Sequence, residues 1–142
     1  MFAWILMGLA VAGNPFRAEV QPLQMTQSES SVVQVYFIVP PGHHLYQDMM
    51  KVESTPVEGL QLGTPKFPTG HLIADPANPA NWREVFDSTV KVEVPITATK
   101  EGTLTTEWSL TYQGCKDTLC YMPKTDVIQA TVMVKPSTAP VQ

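Results

Sequence analysis

The chain has 142 residues, 44% hydrophobic and 15% charged, which is the size and make-up of one globular domain and not of a disordered or fibrous chain. Thirteen acidic residues against nine basic ones leave a formal charge of −4, without the basic footprint that nucleic acid or an anionic membrane surface requires. Thirteen prolines exclude a helical bundle, because proline breaks the helical hydrogen-bond ladder, and they leave an all-β domain rich in turns.

Residues 1–13 are nearly all apolar, yet too few to cross a bilayer, which takes about 20. Ala10-Val11-Ala12 has the small-x-small form of a secretory cleavage site. Residues 1–18 therefore read as a signal-peptide remnant and leader, and residues 19–135 as an exported domain in a compartment where disulfides persist. Residues 31–39 form the first strong β run, with Val33, Val35, Phe37 and Val39 on one face and Val32, Tyr36 and Ile38 on the other, as in a central strand. The turn at 40–46 delivers His43, His44 and Tyr46 to one end of it. Shorter strands are expected at 49–54 and 59–62. The stretch 65–87, with Pro65, Pro68, Pro76 and Pro79, reads as a long loop carrying His71, Trp82, Arg83 and Phe86, and a connection of that length in a small domain is usually functional. Residues 90–96 alternate with period two, Val90, Val92, Val94 and Ile96 sharing a face. A turn containing Gly102 follows, then Leu104, Thr106, Trp108, Leu110 and Tyr112 alternate in turn, so that the two runs are expected to pair as a hairpin. Residues 126–134 form the last strand, and 136–142 read as a proline-containing linker or tail. Short strands with turns between them point to an immunoglobulin-like β-sandwich.

The two cysteines, Cys115 and Cys120, are separated by four residues on the turn between the runs at 104–112 and 126–134, at one end of the sandwich. As a staple such a bridge is weak: closing a loop of about six residues contributes only about 2 kcal/mol in the chain-entropy model. Three uses are open at this point. The pair can cycle between dithiol and disulfide. It can be an inert turn disulfide in an interaction domain. Or it can join His43, His44, His71, Met49 and Met50 in a periplasmic copper or zinc carrier, although consecutive methionines on a strand point to opposite faces.

Tyr112-Gln113-Gly114-Cys115 followed by Cys120-Tyr121-Met122-Pro123 resembles the active-site turn of the N-terminal periplasmic domain of the thiol:disulfide interchange protein DsbD. Pro41-Gly42-His43-His44-Leu45-Tyr46 is similar to that family's Asp-Gly-Tyr-Tyr-Leu-Tyr segment, with His44 where the family has tyrosine. Glu84-Val85-Phe86-Asp87 resembles the segment after the family's cap loop. The cysteine spacing is one residue shorter than the family's, and the cap motif Asp-Glu-Phe-Tyr-Gly is missing. The resemblance implies an immunoglobulin-like sandwich in the periplasm, standing alone or tethered through a longer membrane parent, with the folded domain itself outside the membrane. It would take electrons from a thioredoxin-like or membrane donor. It would pass them to thioredoxin-like acceptors of the disulfide isomerase or cytochrome-maturation type, with no cofactor and no metal. Cys120 would form the mixed disulfide and Cys115 would resolve it. Tyr46, His44 and Tyr121 would support the pair, and Trp82, within a cap at 75–83, would shield it.

Overall fold

The computed structural model describes residues 14–137; the expected signal-peptide remnant at 1–13 and the end of the tail lie outside them. In chain order the strands are β1 (Arg17–Val20), β2 (Leu23–Thr26), β3 (Ser30–Ile38), β4 (His43–Tyr46), β5 (Lys51–Ser54), β6 (Leu60–Leu62), β7 (His71–Asp75), β8 (Asn78–Phe86), β9 (Val90–Ala98), β10 (Gly102–Tyr112), β11 (Gly114–Lys116), β12 (Leu119–Cys120) and β13 (Lys124–Lys135). One 3-10 turn, Gln47–Met49, is the only helical element among the described residues. No helix there is long and apolar enough to cross a membrane.

Two four-stranded sheets, β1-β3-β9-β6 and β2-β13-β10-β5, form an immunoglobulin-like sandwich. Period-two alternation produces it directly. Val33, Val35 and Phe37 of β3 and Val90, Val92, Val94 and Ile96 of β9 meet Trp108 and Leu110 of β10 and Val132 and Val134 of β13 in one core. Each such side chain taken out of water contributes about 1.5–3 kcal/mol. The buried Trp108 indole donates to Thr106 Oγ1 at 2.7 Å, and that hydroxyl donates to the Ala130 carbonyl at 2.7 Å, so the polar atoms inside the sandwich are satisfied.

The expected hairpin between 90–96 and 104–112 does not form. β9 pairs with β3 and β6, whereas β10 pairs with β13 and β5. Both strands bury one face in the same core, and alternation is the same for neighbours within a sheet and for strands facing each other across the core. Gly102, at φ 121°, lies where the chain changes sheets, a backbone conformation that a side chain would oppose. β3 is central, between β1 and β9, as its two-sided apolar pattern indicates. The strand expected from Met49 begins at Lys51, because Gln47–Met49 turns first; Met49 goes to one apolar cluster and Met50 to the other. The ordered body also starts ahead of Glu19: β1 begins at Arg17, and Phe16 is fully buried.

A third sheet, β12-β11-β4-β8-β7, stands at one end of the sandwich. Three of its five strands adjoin sandwich strands in sequence: β4 follows β3, β8 precedes β9 and β11 follows β10. The stretch expected as a loop at 65–87 is in large part the β7–β8 hairpin of this end sheet, with an irregular register at Ala74/Asp75. Its alternation is masked in the sequence because much of the hairpin is exposed on both faces and proline-interrupted.

Phe16 fixes the end sheet to the sandwich from below. A Cβ at Gly114 would fall inside van der Waals distance of the Phe16 ring and 2.8 Å from the His44 carbonyl oxygen. Gly114→Ala is therefore expected to cost about 1–3 kcal/mol by overpacking, read as a lower urea midpoint at unchanged slope. An unchanged midpoint would show that this seam is loose.

Candidate redox site

Side chains on a strand alternate between faces, and on β4 this splits two roles. Leu45 enters the sandwich core together with its partner Phe86, whereas Tyr46 joins Val85 and Cys115 in a second buried cluster. Cross-strand registers extend the second face. Cys115 stands opposite Cys120 on one side and His44 on the other, Tyr46 stands opposite Val85, and Arg83 opposite Ile73. One face of the end sheet thus carries both cysteines, His44, Tyr46 and Arg83.

Cys115 and Cys120 are joined in a disulfide across β11 and β12, with Cα atoms 4.0 Å apart. Asp117, at φ 55°, closes the two-residue turn between them in the left-handed region that Asp tolerates. The two sulfurs differ in access: Cys115 is fully buried, and Cys120 is partly exposed on the edge strand. The Tyr121 N–H donates to the Gly114 carbonyl at 2.9 Å. Hydrogen-bonded and non-hydrogen-bonded pairs alternate along an antiparallel ladder, so the Cys120 N–H and carbonyl point away from β11 to the open edge of the sheet.

Tyr46 lies beneath the pair. Its hydroxyl is 3.1 Å from Cys115 Sγ and 3.3 Å from Cys120 Sγ, and it donates to Asp75 Oδ1 at 2.8 Å. A disulfide sulfur carries no hydrogen, so the one proton available in this group is the phenolic one, which Tyr46 donates to Asp75. Burial, and then the hydrogen bond to Asp75, push the Tyr46 hydroxyl up to about 12. Asp75 is itself buried, which alone would raise its carboxyl. The Ala77 N–H, the Tyr46 hydroxyl and Arg83 outweigh burial and hold it below the usual carboxylate range. Arg83 reaches Asp75 Oδ2 at 3.4 Å and also pairs with Asp48, and its guanidinium carbon lies 3.5 Å above the Tyr46 ring.

The other expected site residues divide. His44 is next to the pair, directly across from Cys115, with its ring edge-on to Tyr46 at 6.0 Å and its Nε2 buried without a protein partner. Tyr121 packs away from the sulfurs, edge-on against Phe16 at 5.9 Å and stacked on His43 at 6.3 Å. Trp82 is not the shield. Arg83 points inward to Tyr46, so its neighbour Trp82 points the other way, opposite Ala74, and is 68% exposed. Ile73 and Met49 are the side chains from outside the turn that pack against the cluster. The same alternation that separates Trp82 from the pair sets His43 on the face opposite His44. Among the described residues no group of three or more His, Cys, Asp or Glu is placed to hold a metal ion. In sequence Arg83 falls in the long loop and Asp75 at the edge of the cap, but neither they nor Ile73 could be placed beside the pair, because strand parity in the β7–β8 hairpin becomes visible only once its pairing is known.

The chain as a whole is similar to known proteins. The family described as "Thiol:disulfide interchange protein DsbD, N-terminal" matches residues 15–132. The DsbD protein of Pseudomonas sp. (strain JR1 / K1) is 28% identical over 137 residues, covering 89% of this chain and 22% of its own length. The chain thus spans about a fifth of that relative. The reduced DsbD N-terminal domain of Neisseria meningitidis superposes with a TM-score of 0.57 at 25% identity, over 74% of this chain and 80% of that one. The same organism's domain in complex with the PilB N-terminal domain gives 0.59 at 23% identity, over 80% of each chain.

His44 sets an acid-side expectation. Burial lowers its pKa, the neighbouring His43 and His71 lower it further, and Asp87 and Asp75 only partly compensate. The folded state then binds a proton less readily than the unfolded state, so stability falls as pH drops below the ordinary histidine value of about 6.5. Replacing it with the family's tyrosine, His44→Tyr, should flatten the change in urea midpoint between pH 7 and pH 5. An equally steep change in the variant would mean that another group governs it.

Proposed function

The chain belongs to the family of N-terminal domains of the thiol:disulfide interchange protein DsbD, and from that membership we propose that it relays reducing equivalents in the periplasm through Cys115 and Cys120. Its donor is a thioredoxin-like or membrane electron-transfer domain of the longer kind of protein that its relative represents. Its acceptors are thioredoxin-like proteins of the disulfide isomerase or cytochrome-maturation type. The neisserial domain, solved in complex with the PilB N-terminal domain, supports docking of this kind.

The asymmetry of the two sulfurs carries this proposal. A partner thiolate attacks the accessible Cys120 sulfur, a bond forms between the partner and Cys120, and the electron pair of the broken disulfide passes to Cys115. A second partner thiolate then attacks the partner's own sulfur in the mixed disulfide. That step releases reduced Cys120 and leaves the partner oxidised; the sequence runs in reverse toward the acceptor. The outward N–H and carbonyl of Cys120 offer an extended segment of the partner two backbone hydrogen bonds beside the reacting sulfur.

Tyr46 stabilises the departing Cys115 sulfur by a hydrogen bond and not by giving up its proton. A hydroxyl with a pKa of about 12 is a weaker acid than a thiol near 8.5 by roughly three orders of magnitude. An inert turn disulfide would gain nothing from a buried hydroxyl and an ionised carboxylate beneath it, each of which costs desolvation.

Two variants test the assignment of roles. Cys115→Ser leaves the exposed Cys120 thiol and should trap a mixed disulfide with a thioredoxin-like protein. Cys120→Ser, with only the buried sulfur, should trap little. Equal trapping by both variants, or a pair that stays oxidised in every dithiothreitol and glutathione buffer, would refute the relay.

A further inference from the structure

Arg83 lies within the proline-rich stretch ahead of β9, in a segment where the family motif is absent, and the exchange chemistry above assigns it no task. Its side chain is only 21% exposed, although an arginine in an end hairpin has open solvent available. It bridges three elements: Asp48 in the 3-10 turn, Asp75 at the end of β7, and the Tyr46 ring on β4. A planar guanidinium can bind two carboxylates at its fork while stacking on an aromatic ring; a lysine ammonium cannot do all three.

We infer that Arg83 is the positioning residue of the redox site: it holds Asp75 as a bonded carboxylate, so that the Tyr46 hydroxyl is released to the Cys115 sulfur when the disulfide opens. The inference rests on the relay reading. In the oxidised state Asp75 Oδ1 accepts from the Tyr46 hydroxyl and the Ala77 N–H, and Oδ2 accepts from Arg83. When the partner's sulfur bonds to Cys120 and the disulfide electron pair moves to Cys115, a negative charge forms 3.1 Å from the Tyr46 oxygen. The phenolic proton stays on its oxygen and changes acceptor, from Asp75 Oδ1 to Cys115 Sγ. Asp75 then keeps one donor on each oxygen, Ala77 N–H and Arg83, and no buried acceptor is stranded. Arg83 also offsets the carboxylate that would otherwise repel the new thiolate across the width of one hydroxyl.

The test compares wild type, Arg83→Gln, Arg83→Lys and the double variant Arg83→Gln/Asp75→Asn. Two quantities are followed: the rate of reduction by dithiothreitol at pH 7, and thiolate formation in the reduced protein by absorbance at 240 nm. Arg83→Gln should slow reduction roughly three- to tenfold and move thiolate formation to higher pH by about one unit, the effect of one uncompensated neighbouring charge. The double variant should recover most of both losses, which a purely structural role would not allow, and Arg83→Lys should fall between wild type and Arg83→Gln. Wild-type rate and titration in Arg83→Gln, or no recovery in the double variant, would overturn the inference. If Arg83→Gln does not fold, Arg83→Lys decides: slowed reduction supports the role and a wild-type rate overturns it. A wild-type protein that dithiothreitol cannot reduce reversibly would instead defeat the relay reading beneath it.

Discussion

Everything at the redox site depends on the alternation of two adjacent side chains on β4. Leu45 and Tyr46 cannot share a face, so the residue that anchors the end sheet to the sandwich leaves its neighbour on the opposite side, against the disulfide. Phe86 and Phe16 add to the anchoring side. With that side held, the other face carries Cys120, Cys115, His44, Tyr46 and Arg83, placed by cross-strand register and by the two-residue repeat along β4 and β8. The rigidity of the site is borrowed from a core that contains none of its chemistry.

A single phenolic proton links the pair to its surroundings. Two sulfurs and a carboxylate oxygen lie within 3.3 Å of the Tyr46 oxygen, and the hydroxyl can donate to only one of them at a time. In the oxidised state the carboxylate wins because it alone is charged. Reduction creates a second charge and therefore a competitor. A buried carboxylate next to a nascent thiolate is tolerable only with compensation, and the guanidinium stacked on the same ring supplies it. The disulfide itself is worth about 2 kcal/mol against a domain stability of typically 5–15 kcal/mol, so the fold can survive its opening.

Much of the sandwich was legible. The alternation in β3, β9, β10 and β13 is strong because each of these strands buries one face or both, and their limits differ from the expected ones by a residue or two. That β9 and β10 lie in different sheets instead of pairing was not legible, since strands facing each other across a core carry the same pattern as strands side by side. The β7–β8 hairpin was missed for a related reason. It buries little, so selection for an apolar stripe is weak, and its prolines and asparagines read as loop. Trp82 was the natural candidate for a shield on aromatic character alone, but the inward direction of Arg83 turns it outward.

The amino-acid sequence by itself determined an all-β domain with a close cysteine pair on a turn at one end, and the resemblance carried by the residues around Cys115 and Cys120. These are local matters of period, spacing and turn chemistry, which neighbouring residues settle between themselves. Only the tertiary structure decided which sulfur is accessible, that Asp75 accepts the Tyr46 hydrogen bond, and that Arg83 stacks over the same ring. The contacts around the Tyr46 hydroxyl join residues up to 74 positions apart, and they exist because strand register, not sequence distance, decides which side chains meet.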